Sequence, residues 1–271
     1  MSESSNERRR SRAAHLRWVA IAEMKVNPRA QREFRPDKAA KIAAELDLEA
    51  LGYPVVNRRD GHYYIVDGQH RIAALKLIGY GDQQIQCDCL EGLTEAEEAE
   101  LFLRRDERTA ISTYDKFRIA ITAEREVETD IDRIVRAQGL VVSRNKNTPH
   151  AVSAVGTLRK VYTQAGPIAL GRALRIIRDA YGDAGLEAPV IHGIGLLCQR
   201  YNGRLNDELA VQRLSKLQGS VGALLASAEK QRLQSGNQKS QCVAAAAVDV
   251  INAGQRGKTR LPDWWRPESG A

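Results

Sequence analysis

Residues 64–79 read YIVDGQHRIAALKLIG. Tyr63, Tyr64, Ile65 and Val66 are the aromatic and β-branched residues of a strand, and Asp67-Gly68 is a turn. A helix over about 70–78 follows and stops at Gly79, with Ile72, Leu75 and Ile78 near one face. Gly68 lets the chain reverse sharply and bring its backbone close to a ligand. Gln69, His70 and Arg71 fall in the first helical turn, where free N–H groups and the positive end of the dipole suit a phosphate. His70 and Arg71 add donors there. The same residues also fit an ordinary strand-to-helix turn with a solvated histidine and arginine, and the stretch by itself leaves both readings open.

Working outward, Trp18–Ile21 suggests a short strand running into Asn27-Pro28. Pro36-Asp37 opens a helix whose Ala39, Ile42, Ala43 and Leu46 form one apolar stripe. Gly52 and Pro54 break the chain, Val55-Val56 begins a strand, and Asp60-Gly61 signals a hairpin turn before Tyr63. A further strand spans 84–90, with Cys87 and Cys89 on the same face as Ile85. That C-x-C has no nearby histidine and lacks zinc-site spacing, so a buried face is expected and no metal site. Cys198 and Cys242 stand alone in helical stretches. Thr94 and Glu97 have the spacing of a capping box. From about residue 113 the pattern is helical, punctuated by glycines, up to a Gly- and Arg-rich end after Asn252. The expected class is therefore α+β. A basic arm (1–15) leads into a small α/β-patterned domain (16–112), an all-α domain (113–252) and a flexible tail (253–271).

The chain has 271 residues, 43% hydrophobic and 28% charged, as a globular protein has. No apolar run approaches the roughly 20 residues that span a bilayer. MSESSNERRRSR has no apolar core behind its arginines, so no secretory signal is expected and the cytoplasm is the default, without a membrane partner. The net charge of +7 favours a polyanionic partner such as nucleic acid.

The stretch VDGQHRIAAL (66–75) resembles the second box of the ParB/sulfiredoxin superfamily, where ParB proteins carry G-E-R-R and sulfiredoxins G-C-H-R. NPRAQREF (27–34) is similar to the first ParB box, an Asn-Pro followed by Gln and Arg. RRDERTAISTYD (104–115) sits where ParB proteins carry Glu-Asn-x-x-Arg. Order and spacing match over residues 16–116. The resemblance implies a small mixed-sheet domain whose boxes surround a nucleoside triphosphate, CTP or ATP, with Mg2+. Gly68, Gln69, His70 and Arg71 would face the phosphates. Gln31 and Arg32 would approach from the first box, and Arg104, Arg105 and Arg108 from the third. The departures matter as much. Gln69 replaces the sulfiredoxin cysteine, which removes sulfinic-acid reduction, and it also replaces the ParB glutamate. Arg104-Arg105 replace the Glu-Asn pair, which weakens the expectation of hydrolysis. Asp67, Glu33, Asp106 and Glu107 remain as carboxylates for a metal.

The helical remainder offers a DNA-binding region over 116–163. Ile131, Ile134 and Val135 face inward on a helix ending at Gly139, SRNKNTPH follows, and Thr148-Pro149 predicts a helix over 150–163. In a helix-turn-helix, as ParB-like proteins have after the nucleotide domain, Arg144, Asn145, Lys146, His150, Arg159 and Lys160 would meet phosphate or bases. Leu170, Leu174, Ile177, Ile191, Ile194 and Leu197 read as core, and His192 as a core histidine with a partner. The expected function is a ParB-like DNA-binding protein with a nucleotide domain, in partition, replication control or regulation of a plasmid, phage or mobile element. A metal-dependent nuclease or NTP hydrolase using the same pocket is the alternative, a protein-interaction module with a vestigial pocket is a third reading, and a homodimer is left open.

Overall fold

The computed structural model describes residues 14–48, 51–105, 112–145 and 147–265. The basic arm before Ala14, the box-three residues Asp106, Glu107 and Arg108, loop residue Lys146 and the end from Arg266 lie outside the described residues. The chain divides into two compact units, 1–125 and 126–271.

The first unit holds β1 (His15–Ala20), β2 (Met24–Val26), α1 (Pro36–Ala44), β3 (Val55–Arg59), β4 (His62–Asp67), α2 (Gln69–Leu77), β5 (Gln84–Glu91), α3 (Glu95–Arg105) and α4 (Thr113–Thr122). The five strands form one sheet in the order β1-β5-β3-β4-β2. β1/β5 and β3/β4 run antiparallel, while β3/β5 and β2/β4 run parallel, so the sheet is mixed as expected. The β3–β4 hairpin turns on Asp60 and Gly61, whose φ values of 53° and 76° are both left-handed, the requirement of a two-residue hairpin loop. One sheet face buries Val19, Val56, Ile65, Cys87 and Cys89 against Ile72 and Leu75 of α2. Cys87 and Cys89 are thus core residues, and burial pushes the Cys87 thiol up to about 12. The other face buries Val55, Val66 and Leu90 beneath Leu93 and Leu101. The capping box forms: Glu97 N–H donates to Thr94 Oγ1 at 3.2 Å and Thr94 N–H to Glu97 Oε2 at 2.8 Å. α4 packs with this unit, its Ile119 joining Ala30, Ala99 and Phe102.

The second unit contains α5 (Glu126–Ala137), β6 (Val141–Val142), β7 (Ala151–Val152), α6 (Val155–Tyr181), α7 (Ala188–Arg200), α8 (Asp207–Ser215), α9 (Ser220–Ser235) and α10 (Lys239–Asn252). Leu170, Leu174, Ile177, Ile191, Ile194 and Leu197 are all fully buried, the core their spacing predicts. Glycine sets how closely α7 packs. A Cβ on Gly195 would lie 2.6 Å from Val161 Cγ1, and one on Gly193 2.7 Å from Val243 Cγ1. α6 is interrupted at Gly166 (φ 84°, ψ 169°) just before Pro167, which has no N–H to give the helix. Gln199 Nε2 donates to the Gln164 carbonyl at this break (2.6 Å). Burial opposes charge on Asp207, but hydrogen bonds from Arg172 and Arg175 prevail and hold its carboxyl below the usual range.

Two expectations are corrected here. The helix expected over 150–163 begins at Val155, because residues 151–152 instead pair with 141–142 as two short parallel strands. The segment after Asn252, read as a flexible tail, is docked over Leu261–Trp264. Asn252 bonds both ways to Leu261, Tyr201 Oη donates to the Pro262 carbonyl at 2.6 Å, and Arg200 bonds to the Trp264 carbonyl while stacking on its ring. Single apolar residues among glycines and arginines carry no periodicity, so no pattern announced this docking.

Candidate nucleotide and nucleic-acid sites

The turn before α2 has the geometry that an anion site needs. Gly68 is left-handed (φ 102°) and caps the helix with no side chain, and the first turn contains no acidic residue. A helix leaves its first N–H groups without partners inside the helix, so those of Gln69, His70 and Arg71 stay available along with the positive dipole end. A Cβ on Gly68 would meet Arg71 Nε and Nη2 and Pro54 Cβ at 3.2 Å. Glycine is therefore required by φ, and a side chain here would also crowd Arg71 and Pro54.

The side chains at the turn have internal duties that the sequence did not disclose. Gln69 is buried, and its Nε2 donates to the Arg32 carbonyl (3.0 Å). His70 is buried and stacks on Phe34, with centroids 5.3 Å apart. His70 Nε2 accepts from Arg35 N–H at 3.1 Å, which places its ring proton on Nδ1. Burial, with Arg32, Lys38 and Arg35 nearby, pushes the imidazole down to about 4, so it is neutral at pH 7. Arg71 turns back to donate to the Leu51 carbonyl (2.6 Å) and to Asp67 Oδ2 (3.0 Å). The first-box residue Gln31 is also buried, its Nε2 donating to the Ile65 and Val66 carbonyls at 3.1 and 2.6 Å. Residues 31–35 and 65–70 therefore meet at the turn. The His70 imidazole is a latch for Arg35, and the groups left open at the turn are the backbone N–H groups of the first turn of α2. Arg104, from the third box, is exposed and 3.8 Å from Glu100, and Arg105 is exposed at the end of α3.

Three residues that sequence reasoning missed hold this assembly together. Glu98 is buried and accepts from Asn57 Nδ2 (2.6 Å), Arg59 Nε (3.2 Å) and Asn27 Nδ2 (3.4 Å). Asn57 in turn bonds both ways to Leu93. Arg118 on α4 donates to the carbonyls of Pro28, Arg29 and Gln31, fastening the first box from the other side. One signal was available, because Asn57 shares a sheet face with Val55 and so is a polar residue at an inward position.

A nucleoside triphosphate fits this site, since its phosphates match an acid-free helix N-terminus among cations. No group of three metal-ligating side chains gathers among the described residues, and Asp67 already pairs with Arg71.

In the second unit, Arg144 and Asn145 are exposed on the loop between β6 and β7. The loop is braced internally: Ser143 Oγ accepts from Asn145 N–H (3.1 Å) and Asn145 Oδ1 from Asn147 N–H (3.0 Å). His150 has φ 58° and is clamped by Asp183, which accepts its backbone N–H at 2.9 Å and meets its ring Nδ1 at 3.0 Å. These bonds hold the Asp183 carboxyl below the usual range. Arg159 is exposed, 3.5 Å from Glu128. Lys160 borders a cavity of about 450 Å3 with Gln164, His192 and Gln241. His192 is buried with its Nε2 3.0 Å from Gln164 Oε1, the partnered histidine that was expected. A helix-turn-helix joins its helices by a turn of about 3–4 residues. α5 and α6 are instead separated by residues 138–154, so these candidates sit on a braced basic loop and the helix after it.

A family model described as "Family of unknown function (DUF6551)" matches residues 27–240. No curated protein matches the chain. Two solved structures are similar to it, both of C-terminally truncated chromosome-partitioning protein ParB from Caulobacter crescentus. The one complexed with CTP-gamma-S is 19% identical, over 59% of this chain and 98% of that chain, at a TM-score of 0.29. The one complexed to the centromeric parS site is 16% identical, over 85% and 98%, at a TM-score of 0.35. Superpositions this loose carry no function across.

Proposed function

We propose that this chain, which belongs to the family described as Family of unknown function (DUF6551), is a two-part binding protein. Its first unit would take the phosphates of a nucleoside triphosphate, CTP or ATP, and its second unit would hold DNA. The observation that carries the reading is the α2 N-terminus, with a glycine cap, no acid in its first turn, and Arg32, Arg35 and Lys38 near His70. The DNA half rests on charge. Residues 126–271 hold 20 lysines and arginines against 13 aspartates and glutamates, which accounts for the whole net charge of +7. With the three boxes, this supports a role in partition, replication control or regulation of a plasmid, phage or mobile element, in the cytoplasm. The metal-dependent nuclease reading has no converging carboxylates behind it among the described residues.

Calorimetric titration with CTP, ATP and GTP tests the first half. At least one should bind, and Arg32→Ala should weaken it by about tenfold, the loss of one charge-assisted contact. Absence of binding by all three overturns the nucleotide reading. Electrophoretic titration of duplex DNA tests the second half. Its affinity should fall steeply with salt, by a log–log slope of about 0.9 per phosphate contacted. No duplex binding at low salt overturns it.

A further inference from the structure

Three helices of the second unit surround the cavity of about 450 Å3 that Lys160 borders, and helical spacing gathers its polar lining. Lys160 and Gln164 stand one turn apart on α6, while His192, Leu196 and Gln199 follow at i, i+4 and i+7 on α7. Gln238 and Gln241 complete the lining as the N-cap and third residue of α10. Just before the break at Gly166, Gln164 is held twice by α7. Its carbonyl accepts from Gln199 Nε2 at 2.6 Å, and its side-chain Oε1 lies 3.0 Å from His192 Nε2.

The lining contains two kinds of open group. Among the described residues no carboxylate lines the cavity, and Lys160 forms no ion pair. Gln238 gives α10 no side-chain cap and the first turn has no acid, so the N–H groups of Lys239, Ser240 and Gln241 lack helical partners at the same cavity. These donors call for an anion. His192 is the second kind. It is 8% exposed, and its Nδ1 meets no partner among the described residues. With Gln164 Oε1 accepting, Nε2 carries the ring proton and Nδ1 is a bare acceptor. Burial, then the charge on Lys160, holds this imidazole below its ordinary value, so it stays neutral at pH 7. An acceptor of that kind calls for a hydroxyl. The amides of Gln238 and Gln241 serve either need, since each both donates and accepts.

We propose that this cavity binds a small phosphorylated polyol of the sugar-phosphate class. The phosphate lies against Lys160 and the α10 N-terminus, and a sugar hydroxyl donates to His192 Nδ1. The cavity falls within the roughly 300–1,000 Å3 of small-molecule sites. A duplex backbone also carries phosphate, but its sugars have no free hydroxyl to reach a recessed acceptor. The free ester therefore satisfies both kinds of group and the duplex only one.

The test is calorimetry of the full chain with glucose 6-phosphate, glucuronate and glucose, which share one ring and differ in charge. Glucose 6-phosphate should bind, glucuronate about tenfold more weakly and glucose not measurably. Lys160→Gln should weaken glucose 6-phosphate about tenfold, and Lys160 is exposed, so the core is untouched by the change. Hydrogen exchange should slow at the amides of residues 239–241 when the ester is bound. The proposal is overturned if glucose 6-phosphate fails to bind at millimolar concentration, or if it binds equally to Lys160→Gln. Equal binding of glucuronate overturns the phosphate, and displacement of the ester by duplex DNA gives the cavity to the duplex instead.

Discussion

The two units hold themselves together by different means. Residues 1–125 contain 21 basic and 21 acidic residues, while residues 126–271 contain 20 and 13. The balanced unit turns polar groups inward: Asn27, Gln31, Asn57, Gln69, His70, Glu98 and Asp115 are all buried. The basic unit buries fewer, Glu128, His192, Asp207, Ser240 and Asn252, and is held mainly by apolar helices brought close through glycine and alanine, as where Gly193 and Gly195 admit Val243 and Val161. The contrast separates two kinds of anion recognition. A buried, bonded turn can hold one small ligand in one pose, whereas a basic surface can hold a long polyanion in many registers.

The contrast breaks most visibly at Glu98. Glu98→Ala leaves Asn57 and Arg59 without their shared acceptor and should cost the first unit about 3–5 kcal/mol, measured by denaturant unfolding with hydrogen exchange at β3. A loss below about 1 kcal/mol would mean that the polar interior is incidental. The next effect is one of pH. His70 titrates near 4 when folded against an ordinary value of 6.5, so the unfolded chain binds the extra proton. Stability is then complete above about pH 6.5 and falls by about 2–3 kcal/mol as pH drops toward 4, and His70→Gln should flatten that fall. An unchanged pH profile in the variant would remove His70 from the account. The smallest effects sharpen the other side. Gly193→Ala should destabilise the second unit by about 1–2 kcal/mol through contact with Val243 and the Ser240 carbonyl. Gly222→Ala in α9, where a Cβ meets nothing, should stabilise it by about 0.5–1 kcal/mol. The same sign for both would count against close packing as the constraint on α7.

Much of the first unit was legible because its signals are local. Asp60-Gly61, Thr94 with Glu97, and the strand–turn–helix at Gly68 each declare themselves within a few residues. What stayed hidden depends on partners far along the chain: Glu98 serving Asn57 across 41 residues, or Arg118 reaching Pro28 across 90. The contacts of His70 and Arg71 were hidden for the same reason, since Phe34 and Leu51 meet them from a distance. In the second unit, helices and core were readable from periodicity. The parallel pair at 141–142 and 151–152 was not, because two-residue strands have no period.

The docked C-terminal segment has an optical consequence. Of the chain's three tryptophans, Trp18 and Trp265 are 63% and 48% exposed, and Trp264 is 9% exposed. Trp264 lies 4.9 Å from the Arg200 guanidinium and 6.2 Å from the Tyr201 ring. As the least exposed of the three, it is expected to emit to the blue of the other two. That makes Trp264 an intrinsic reporter of whether Leu261–Trp264 are seated on the end of α7.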